Sequence, residues 1–312
     1  MAVAAPEISV VLSCFFEEAT VLEFHARLSR TLAATGRSHE IIYVNDGSTD
    51  GTWDRLRRIF EEDASVTAVV DLFRNSGQAA ALTAGALLAR GKAVVFLDSD
   101  LQLSPEDLPL LLERFDRGYD IVSGCRPQRR DDWMRRTASR VANVTMRALS
   151  GADLTDFGCT FKVVDARLLA GFEHGPLRPI RLPYLVAAAG RCAEVPVSHA
   201  ARPHGRSGWT YPKLLRYWLE SAVGMSERPF QYVGFALLLL ALIGTLRLAV
   251  NLVWPFSLLE TVTPGFLLNV VVLGALASVG MIALVGEYAL RSYNLLLRQP
   301  AYIVREVLRR PE

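Results

Sequence analysis

Two long runs without a charged residue dominate the C-terminal third of this 312-residue chain. The runs extend from Phe230 to Leu246 and from Thr261 to Gly286, whereas charged residues crowd the first 230 positions. A helix needs about 20 apolar residues to cross the hydrocarbon core of a bilayer. The sequence therefore predicts two transmembrane helices, over residues 230–253 and 266–289, joined by a loop over residues 254–265. A buried helical hairpin of a soluble protein is the alternative.

Basic residues flank the two predicted spans but are missing from the loop between them. They are Lys213, Arg216 and Arg228 before the first span, and Arg291, Arg298, Arg305, Arg309 and Arg310 after the second. The positive-inside rule places such flanks in the cytoplasm. We therefore expect both termini to be cytoplasmic, with no signal peptide, a periplasmic loop at 254–265 and a tail over residues 290–312.

Apolar residues recur at helical spacing over residues 210–229, just before the first predicted span. The pattern predicts an amphipathic helix that lies in the membrane surface. A helix packed against a globular domain would show the same pattern.

The first 209 residues alternate strand patterns with helix patterns. The predicted strands are ISVVLSCF, EIIYVN, VTAVVDL and KAVVFLD, and the predicted helices are TVLEFHARLSRTLAAT, GTWDRLRRIFEED and QAAALTAGALLAR. This βαβα order predicts an α/β domain with a mostly parallel sheet and helices on both faces. In such sheets ligands bind beyond the carboxyl ends of the strands.

Polar residues follow two of these strands. Asp98, Asp100 and Gln102 end the strand VVFLD, and alternation along an extended chain would place all three on one side. Two converging carboxylates are stabilised by a hard divalent cation that also binds nucleotide phosphates. Asn45 and Asp46 end the strand EIIYVN, where their acceptors could bind a base N–H and ribose hydroxyls. Each pattern alone is also typical of an ordinary turn.

Composition excludes several other classes of site. The formal net charge of +2 gives no excess of basic residues for nucleic-acid binding. The four cysteines are far apart and form no Cys-x-x-Cys pair, so we expect reduced thiols. The five histidines are scattered, and none is assigned to a metal.

Taken in order, these segments resemble a known family. VVLSCFFEE, VNDGSTDGT, RNSGQAAALTAGA and FLDSDLQ are similar to motifs of the family 2 glycosyltransferases with a GT-A fold. LTDFGCTFK, RPHGRSGW, the two apolar runs and the GEY at residues 286–288 resemble polyprenyl-phosphate glycosyltransferases. Within that group, these segments most resemble those of enzymes that transfer 4-deoxy-4-formamido-L-arabinose to undecaprenyl phosphate. Dolichyl-phosphate mannosyltransferases and bactoprenol glucosyltransferases are also similar.

The resemblance implies a Rossmann-like GT-A domain over residues 1–209 and a divalent cation, Mg²⁺ or Mn²⁺. Asp100 and Gln102 match the metal ligands, and Asp98 matches a residue that contacts the nucleotide sugar or completes the metal shell. The residues implied for nucleotide-sugar binding, with a UDP-sugar as first choice, are Phe15, Glu17, Asn45, Asp46, Gly47, Ser48 and Asp98. Those implied for the acceptor phosphate are Arg126, Arg135, Ser139, Arg202 and Ser207.

Asp156 completes the candidate catalytic set of Asp98, Asp100 and Asp156. It matches an acidic position that serves as a base in relatives with hydroxyl acceptors, and with a phosphate acceptor it is expected to orient the sugar or an arginine. Arg135 and Ser139 are four residues apart on a predicted helix, which suits one phosphate. A solvated basic helix near acidic headgroups would look the same.

The chain departs from the family pattern at two places. The family usually has Pro-x-Tyr-Asn-Glu in the first strand-end loop, whereas this chain has Phe16 in place of the Asn. The departure leaves the identity of the base open. After Ser207 the chain has Gly208 and Trp209, so a usual lysine is missing from the loop.

The reaction implied is inverting transfer of a sugar from a nucleotide sugar to polyprenyl phosphate at the bacterial inner membrane. Membrane lipids are further partners, and small residues such as Gly280 are compatible with a homo-oligomer. A polysaccharide-elongating enzyme usually carries a Gln-x-x-Arg-Trp segment, which is not found here. A non-catalytic nucleotide-sugar-binding or flippase-scaffold protein is the main alternative, and a transporter is disfavoured because two spans provide no midplane cavity.

Overall fold

The computed structural model describes residues 5–126, 133–171, 175–177, 179–200, 264–296 and 299–311, and the single residues 221, 239 and 242. The chain divides into two compact units. One unit comprises Met1–Met225 together with Pro300–Glu312, and the other comprises Ser226–Gln299.

The first unit contains an eight-stranded mixed sheet. Its strands are β1 Ile8–Cys14, β2 His39–Asn45, β3 Val66–Leu72, β4 Ala93–Asp98, β5 Ile121–Cys125, β6 Lys162–Asp165, β7 Cys192–Pro196 and β8 Val304–Arg309, in the order β7-β5-β6-β4-β1-β2-β3-β8. The four predicted strands form the parallel centre, β4-β1-β2-β3. β5 and β7 are parallel to each other, β6 is antiparallel to both β4 and β5, and β8 is antiparallel to β3. Six of the eight strands therefore run in one direction, and the sheet is mixed with a parallel majority.

Helices cover both faces of the central strands. They are α1 Val21–Thr35, α2 Thr52–Glu62, α3 Gln78–Ala86, α4 Leu108–Asp116, α5 Trp133–Ser150, α6 Ala166–Ala170 and α7 Leu182–Ala188. In β1, Val10 packs in a core with Phe24 of α1, whereas its neighbour Val11 packs in a second core with Leu82 of α3. Burial on both faces explains why β1 has consecutive apolar residues at Val10–Leu12 instead of alternating apolar and polar ones.

The C-terminal segment forms the edge strand of this sheet. Val307 of β8 pairs with Val70 of β3, and Tyr302 is buried in a small core with Val44 and Leu72. Residues 290–312 were expected to be a tail, yet the range begins inside a helix and contains β8. The partner strand lies more than 230 residues earlier in the sequence, so no local pattern reveals the pairing.

The second unit contains one described helix, α8 Pro264–Leu296, of 33 residues. It includes the second predicted span, 266–289, and exposes large apolar side chains such as Val271 and Ile282. In the parts of the chain that the structure describes, no helix meets the length and hydropathy expected of a membrane span. The first predicted span lies outside the described residues except for Leu239 and Leu242, and the predicted amphipathic helix 210–229 does so except for Ser221.

Candidate active site

The predicted site residues gather where three parallel strands end. β1 lies between β4 and β2, with Ser13 in register with Asp98 and Cys14 in register with Asn45. The two polar strand ends therefore lie on either side of the end of β1. This is the sheet edge at which ligands bind in open α/β folds.

Asp98 is held by hydrogen bonds from two other elements. Its Oδ1 accepts from Nε2 of Gln78 at 2.6 Å and from the hydroxyl of Ser13 at 3.4 Å. Gln78, the first residue of α3, also donates to Oγ1 of Thr160 at 3.1 Å. Burial, followed by the nearby charge of Asp100, raises the pKa of Asp98 to about 6. The Asp100 charge therefore disfavours ionisation of Asp98, and a bound cation would offset that repulsion.

A tight turn carries Asp100 and Gln102. The side chain of Asp100 is buried, and its Oδ1 accepts the backbone N–H of Gln102 at 3.0 Å. Leu101 between them has a φ of 60°, in the left-handed region that few non-glycine residues occupy. Beyond Asp98 the chain is therefore not extended as predicted, because β4 ends at that residue and the chain bends at once.

The donor set at this turn fits a hard divalent cation. Carboxylate and amide oxygens are the ligands that Mg²⁺ and Mn²⁺ prefer. Among the described residues no group of three or more His, Cys, Asp or Glu side chains could hold a metal ion. Asp98, Asp100 and the amide of Gln102 are the residues here that would hold a cation, and phosphate oxygens or water would have to complete the shell.

The loop after β2 is fixed to the loop that precedes α3. Oδ1 of Asp46 accepts the backbone N–H of Ser76 at 2.7 Å, and Oδ2 accepts that of Gly77 at 2.9 Å. Burial raises the pKa of Asp46 to about 6, although these two bonds oppose the rise. Gly47 has a φ of 65°, and a Cβ there would lie 2.3 Å from the backbone carbon of Arg74. The two loops therefore approach so closely that only glycine fits at this position.

The loop after β1 is hydrogen-bonded to the loop after β2 and to the start of α2. The N–H of Phe16 donates to the hydroxyl of Ser48 at 3.1 Å, and the N–H of Glu17 donates to the hydroxyl of Thr52 at 2.9 Å. Phe15 and Phe16 are exposed, with their rings edge to face at 4.4 Å. Exposed aromatic rings beside a polar loop offer a surface on which a base can stack.

Arg126 and Asp156 form a bidentate ion pair. Nε of Arg126 donates to Oδ2 of Asp156 at 2.7 Å, and Nη2 donates to Oδ1 at 2.9 Å. Burial lowers the pKa of Arg126, but the pair with Asp156 outweighs burial and raises it above its usual value, with a smaller contribution from Asp98. The guanidinium is therefore charged, oriented by Asp156 and within electrostatic reach of Asp98.

Comparisons with known proteins identify the family. Residues 9–170 match the family described as Glycosyl transferase family 2. The chain belongs to this family. A relative from Edwardsiella ictaluri (strain 93-146), named undecaprenyl-phosphate 4-deoxy-4-formamido-L-arabinose transferase, is 33% identical over 314 residues, or 97% of this chain and 94% of that protein. A relative of the same name from Pseudomonas aeruginosa (strain LESB58) is 32% identical over 317 residues, or 97% of this chain and 90% of that protein.

Solved structures of another glycosyltransferase share the fold. Glucosyl-3-phosphoglycerate synthase from Mycobacterium tuberculosis in complex with phosphoglyceric acid gives a TM-score of 0.52 at 22% identity, covering 70% of this chain and 80% of that chain. The same enzyme in complex with Mn²⁺ and UDP-glucose gives a TM-score of 0.51 at 23% identity, covering 71% and 80%. This chain is thus a family 2 glycosyltransferase with a GT-A-like mixed α/β sheet. Family membership disfavours the non-catalytic alternative.

The other acceptor residues predicted for this glycosyltransferase are only partly placed. Arg135 and Ser139 lie in α5, but their side chains are outside the described part of the chain, as are Arg202 and Ser207 altogether. The segment that leads to Arg202 contacts the turn after β4, because the N–H of Ala200 donates to the carbonyl of Gln102 at 2.8 Å.

Sequence reasoning missed several residues that shape the site of this glycosyltransferase. Gln78 and Thr160 hold Asp98, and Glu194 accepts the backbone N–H of Asp156 at 2.8 Å. Gln78 carried one signal, since it is the polar residue that opens an otherwise small and apolar helix directly after a glycine. Thr160 lies within the segment LTDFGCTFK, but no pattern linked it to Gln78, and Glu194 gave no signal, because the partners of both residues are distant in sequence.

Proposed function

We propose that this glycosyltransferase transfers a sugar from a nucleotide sugar, with UDP as the nucleotide, to polyprenyl phosphate. The product is a polyprenyl monophosphate sugar used for modification of lipid A or another envelope glycan. The observation that carries the proposal is the bidentate pair of Arg126 with Asp156, whose guanidinium also interacts electrostatically with Asp98. The names of the two relatives support undecaprenyl phosphate as acceptor, and the complex with Mn²⁺ and UDP-glucose supports the donor and the metal.

The acceptor chemistry explains why the site needs arginine more than a base. A phosphate monoester has a second pKa near 6, so at neutral pH it is largely dianionic and already nucleophilic. The main obstacle is repulsion between two anions, the nucleotide diphosphate and the lipid phosphate. The pair with Asp156 uses two of the five N–H donors of Arg126, and we assign the others to an oxygen of the acceptor phosphate.

Each remaining residue has a binding or orienting task. Asp98, Asp100 and Gln102 would hold a divalent cation, which when bound stabilises negative charge on the departing diphosphate. Asp46 fixes the loop at residues 76–77, and Phe15 offers a face to the base. Arg126 holds the lipid phosphate in line with the anomeric carbon, so that displacement proceeds with inversion.

We place the reaction at the cytoplasmic face of the bacterial inner membrane. The acceptor is a lipid, and the two charge-free runs with basic flanks support two spans with cytoplasmic termini. The exposed apolar side chains of α8 support contact between this helix and an apolar environment.

A product assay tests the proposal. The purified full-length chain is incubated with undecaprenyl phosphate, Mg²⁺ or Mn²⁺ and a panel of radiolabelled nucleotide sugars, and lipid products are separated by thin-layer chromatography. We expect one donor to give a labelled, alkali-stable lipid, and no such lipid without the acceptor or after chelation of the metal. Label that stays water-soluble with every donor would contradict the proposal.

A further inference from the structure

A chain of side-chain hydrogen bonds links the C-terminal strand to the candidate nucleotide loop. It begins at Arg305 in β8, passes through Asp71 in β3 and Asn45 in β2, and ends at Ser48. Ser48 in turn receives the N–H of Phe16. Three strands and the loops after β1 and β2 are thereby connected through polar contacts.

The first link supplies a charge to a buried carboxylate. Asp71 is 1% exposed, and its Oδ2 accepts from Nη1 of Arg305 at 3.1 Å. Nη2 of Arg305 donates to the carbonyl of Phe73 at 2.8 Å, and the guanidinium lies 5.3 Å from the centre of the Phe73 ring. A buried carboxylate is costly unless it is paired, and the planar fork of arginine satisfies Asp71 and Phe73 together.

The second link fixes which way the Asn45 amide points. Nδ2 of Asn45 donates to Oδ1 of Asp71 at 2.7 Å, and Oδ1 of Asn45 accepts the backbone N–H of Ser48 at 3.3 Å. An ionised carboxylate only accepts hydrogen bonds, so it selects the NH₂ group of the amide. The amide oxygen must then face the loop, where it holds the N–H of Ser48.

We propose that Arg305 is a positioning residue of the donor site, which acts through Asp71 and Asn45 to hold the loop of residues 45–48 in its nucleotide-binding shape. The edge strand β8 therefore completes the donor half of the enzyme. This inference rests on the proposed function, because it takes residues 45–48 as part of the nucleotide site. It adds a residue that lies 234 positions from Asp71 in sequence and outside residues 9–170, the part of the chain matched to the family.

The test compares Arg305→Gln with Arg309→Gln in the full-length protein. Arg309 lies in the same strand, is exposed and pairs with Ala68, away from the site edge, so the control removes the same charge from the same β8. The first readout is amide hydrogen exchange at Asp46, Gly47 and Ser48. The second is the dissociation constant for UDP with Mg²⁺, together with KM for donor and for acceptor.

We expect Arg305→Gln to speed exchange at Ser48 and to weaken UDP binding roughly five- to tenfold, with little change in kcat or in KM for the acceptor. Arg305→Lys should recover part of the loss, since one ammonium cannot satisfy both acceptors. In an Asp71→Asn background, Arg305→Gln should add nothing, because its route to Asn45 is already broken.

Equal effects of Arg305→Gln and Arg309→Gln on exchange would overturn the inference, as would losses that add in the double variant. A wild-type protein that binds no UDP, UDP-sugar or other nucleotide would refute the proposed function instead. The exchange comparison at Ser48 would still decide whether Arg305 holds the loop.

Discussion

Both carboxylate oxygens of Asp156 accept hydrogen bonds from the guanidinium of Arg126, at 2.7 and 2.9 Å, and the backbone N–H of Asp156 donates to Glu194. The carboxylate of Asp156 therefore orients the guanidinium of Arg126. In related enzymes with hydroxyl acceptors the matching position is expected to serve as a base. The geometry here suits a phosphate acceptor, which brings its own negative charge and needs an oriented positive one.

Loss of the charge at Asp156 should weaken acceptor use. In Asp156→Asn the amide can bind only one N–H of Arg126 in the same way, and a charge-assisted pair is lost. We expect kcat/KM for polyprenyl phosphate to fall roughly tenfold to a hundredfold, with donor binding largely kept. Steady-state kinetics with each substrate varied in turn measure this.

Asp153→Asn is the matched control for that change. Asp153 lies three residues away in the same segment and meets Arg147 at 3.5 Å, but it is almost fully exposed. Exposed pairs contribute little, so acceptor kinetics should stay near wild type. Equal losses in the two variants would show that Asp156 has no special task.

Asp100 should be required for metal binding and transfer but not for folding. Asp100→Ala removes the carboxylate that we propose as a metal ligand, and with it the acceptor for the Gln102 N–H. We expect transfer to fall at least about a thousandfold, with no saturable Mn²⁺ binding by electron paramagnetic resonance. Asp54→Asn, at an exposed acidic residue of α2, should change neither. Wild-type transfer by Asp100→Ala would refute the metal assignment.

Metal binding should weaken in mild acid because of Asp98. Its pKa is raised to about 6, first by burial and then by Asp100, so protons compete with the cation below that pH. We expect apparent Mg²⁺ affinity to fall about tenfold for each pH unit below about 6. Calorimetric titration between pH 5 and pH 8 measures this, and Asp98→Asn should bind weakly with a flatter pH profile. An affinity that is constant over this range would contradict the prediction.

The raised pKa of Asp98 also makes the free energy of unfolding of the metal-free protein depend on pH. The folded state holds the Asp98 proton more tightly than the unfolded chain, whose Asp has a pKa near 3.9. The stabilisation from this proton is fully present below the unfolded pKa of about 3.9 and is lost as the pH rises through about 6. Added Mg²⁺ should therefore raise the melting temperature more at pH 7.5 than at pH 5.

Local sequence patterns predict much of the fold and part of the candidate site. Strand ends at Asn45 and Asp98 could be predicted because a buried parallel strand leaves an unbroken apolar run that stops at a polar residue. The contacts that orient these residues could not. Gln78 and Thr160 are 82 positions apart, and Arg305 and Asp71 are 234 apart, so their contacts depend on chain topology.

The backbone conformation after Asp98 also could not be predicted from the sequence. The pattern at Asp98 to Gln102 suggested a continued strand, whereas Leu101 turns the chain through a φ of 60°. Leucine gives no turn signal, since glycine and asparagine are the residues that favour this region. The tertiary contacts of the turn, including the bond from Ala200 to Gln102, override the local preference.

Phe16 offers a test of how the first loop differs from the family pattern. It has a φ of 58°, where asparagine is several-fold enriched and a bulky residue is an outlier. Phe16 is 53% exposed, so little buried apolar surface offsets the strain. We expect Phe16→Asn to raise the free energy of unfolding of the first unit by about 0.5–1 kcal/mol, since a left-handed non-glycine residue costs about 1–2 kcal/mol. Urea denaturation followed by tryptophan fluorescence measures the change.

Phe15→Asn separates backbone strain from loss of an exposed aromatic ring. Phe15 is also exposed and shares the edge-to-face contact, but among described non-glycine residues only Phe16 and Leu101 have a positive φ. The control should therefore leave stability unchanged or lower it, and it should weaken nucleotide binding if its ring stacks on the base. If both variants gain equal stability, the gain comes from removing exposed apolar surface and the strain at Phe16 has no energetic weight.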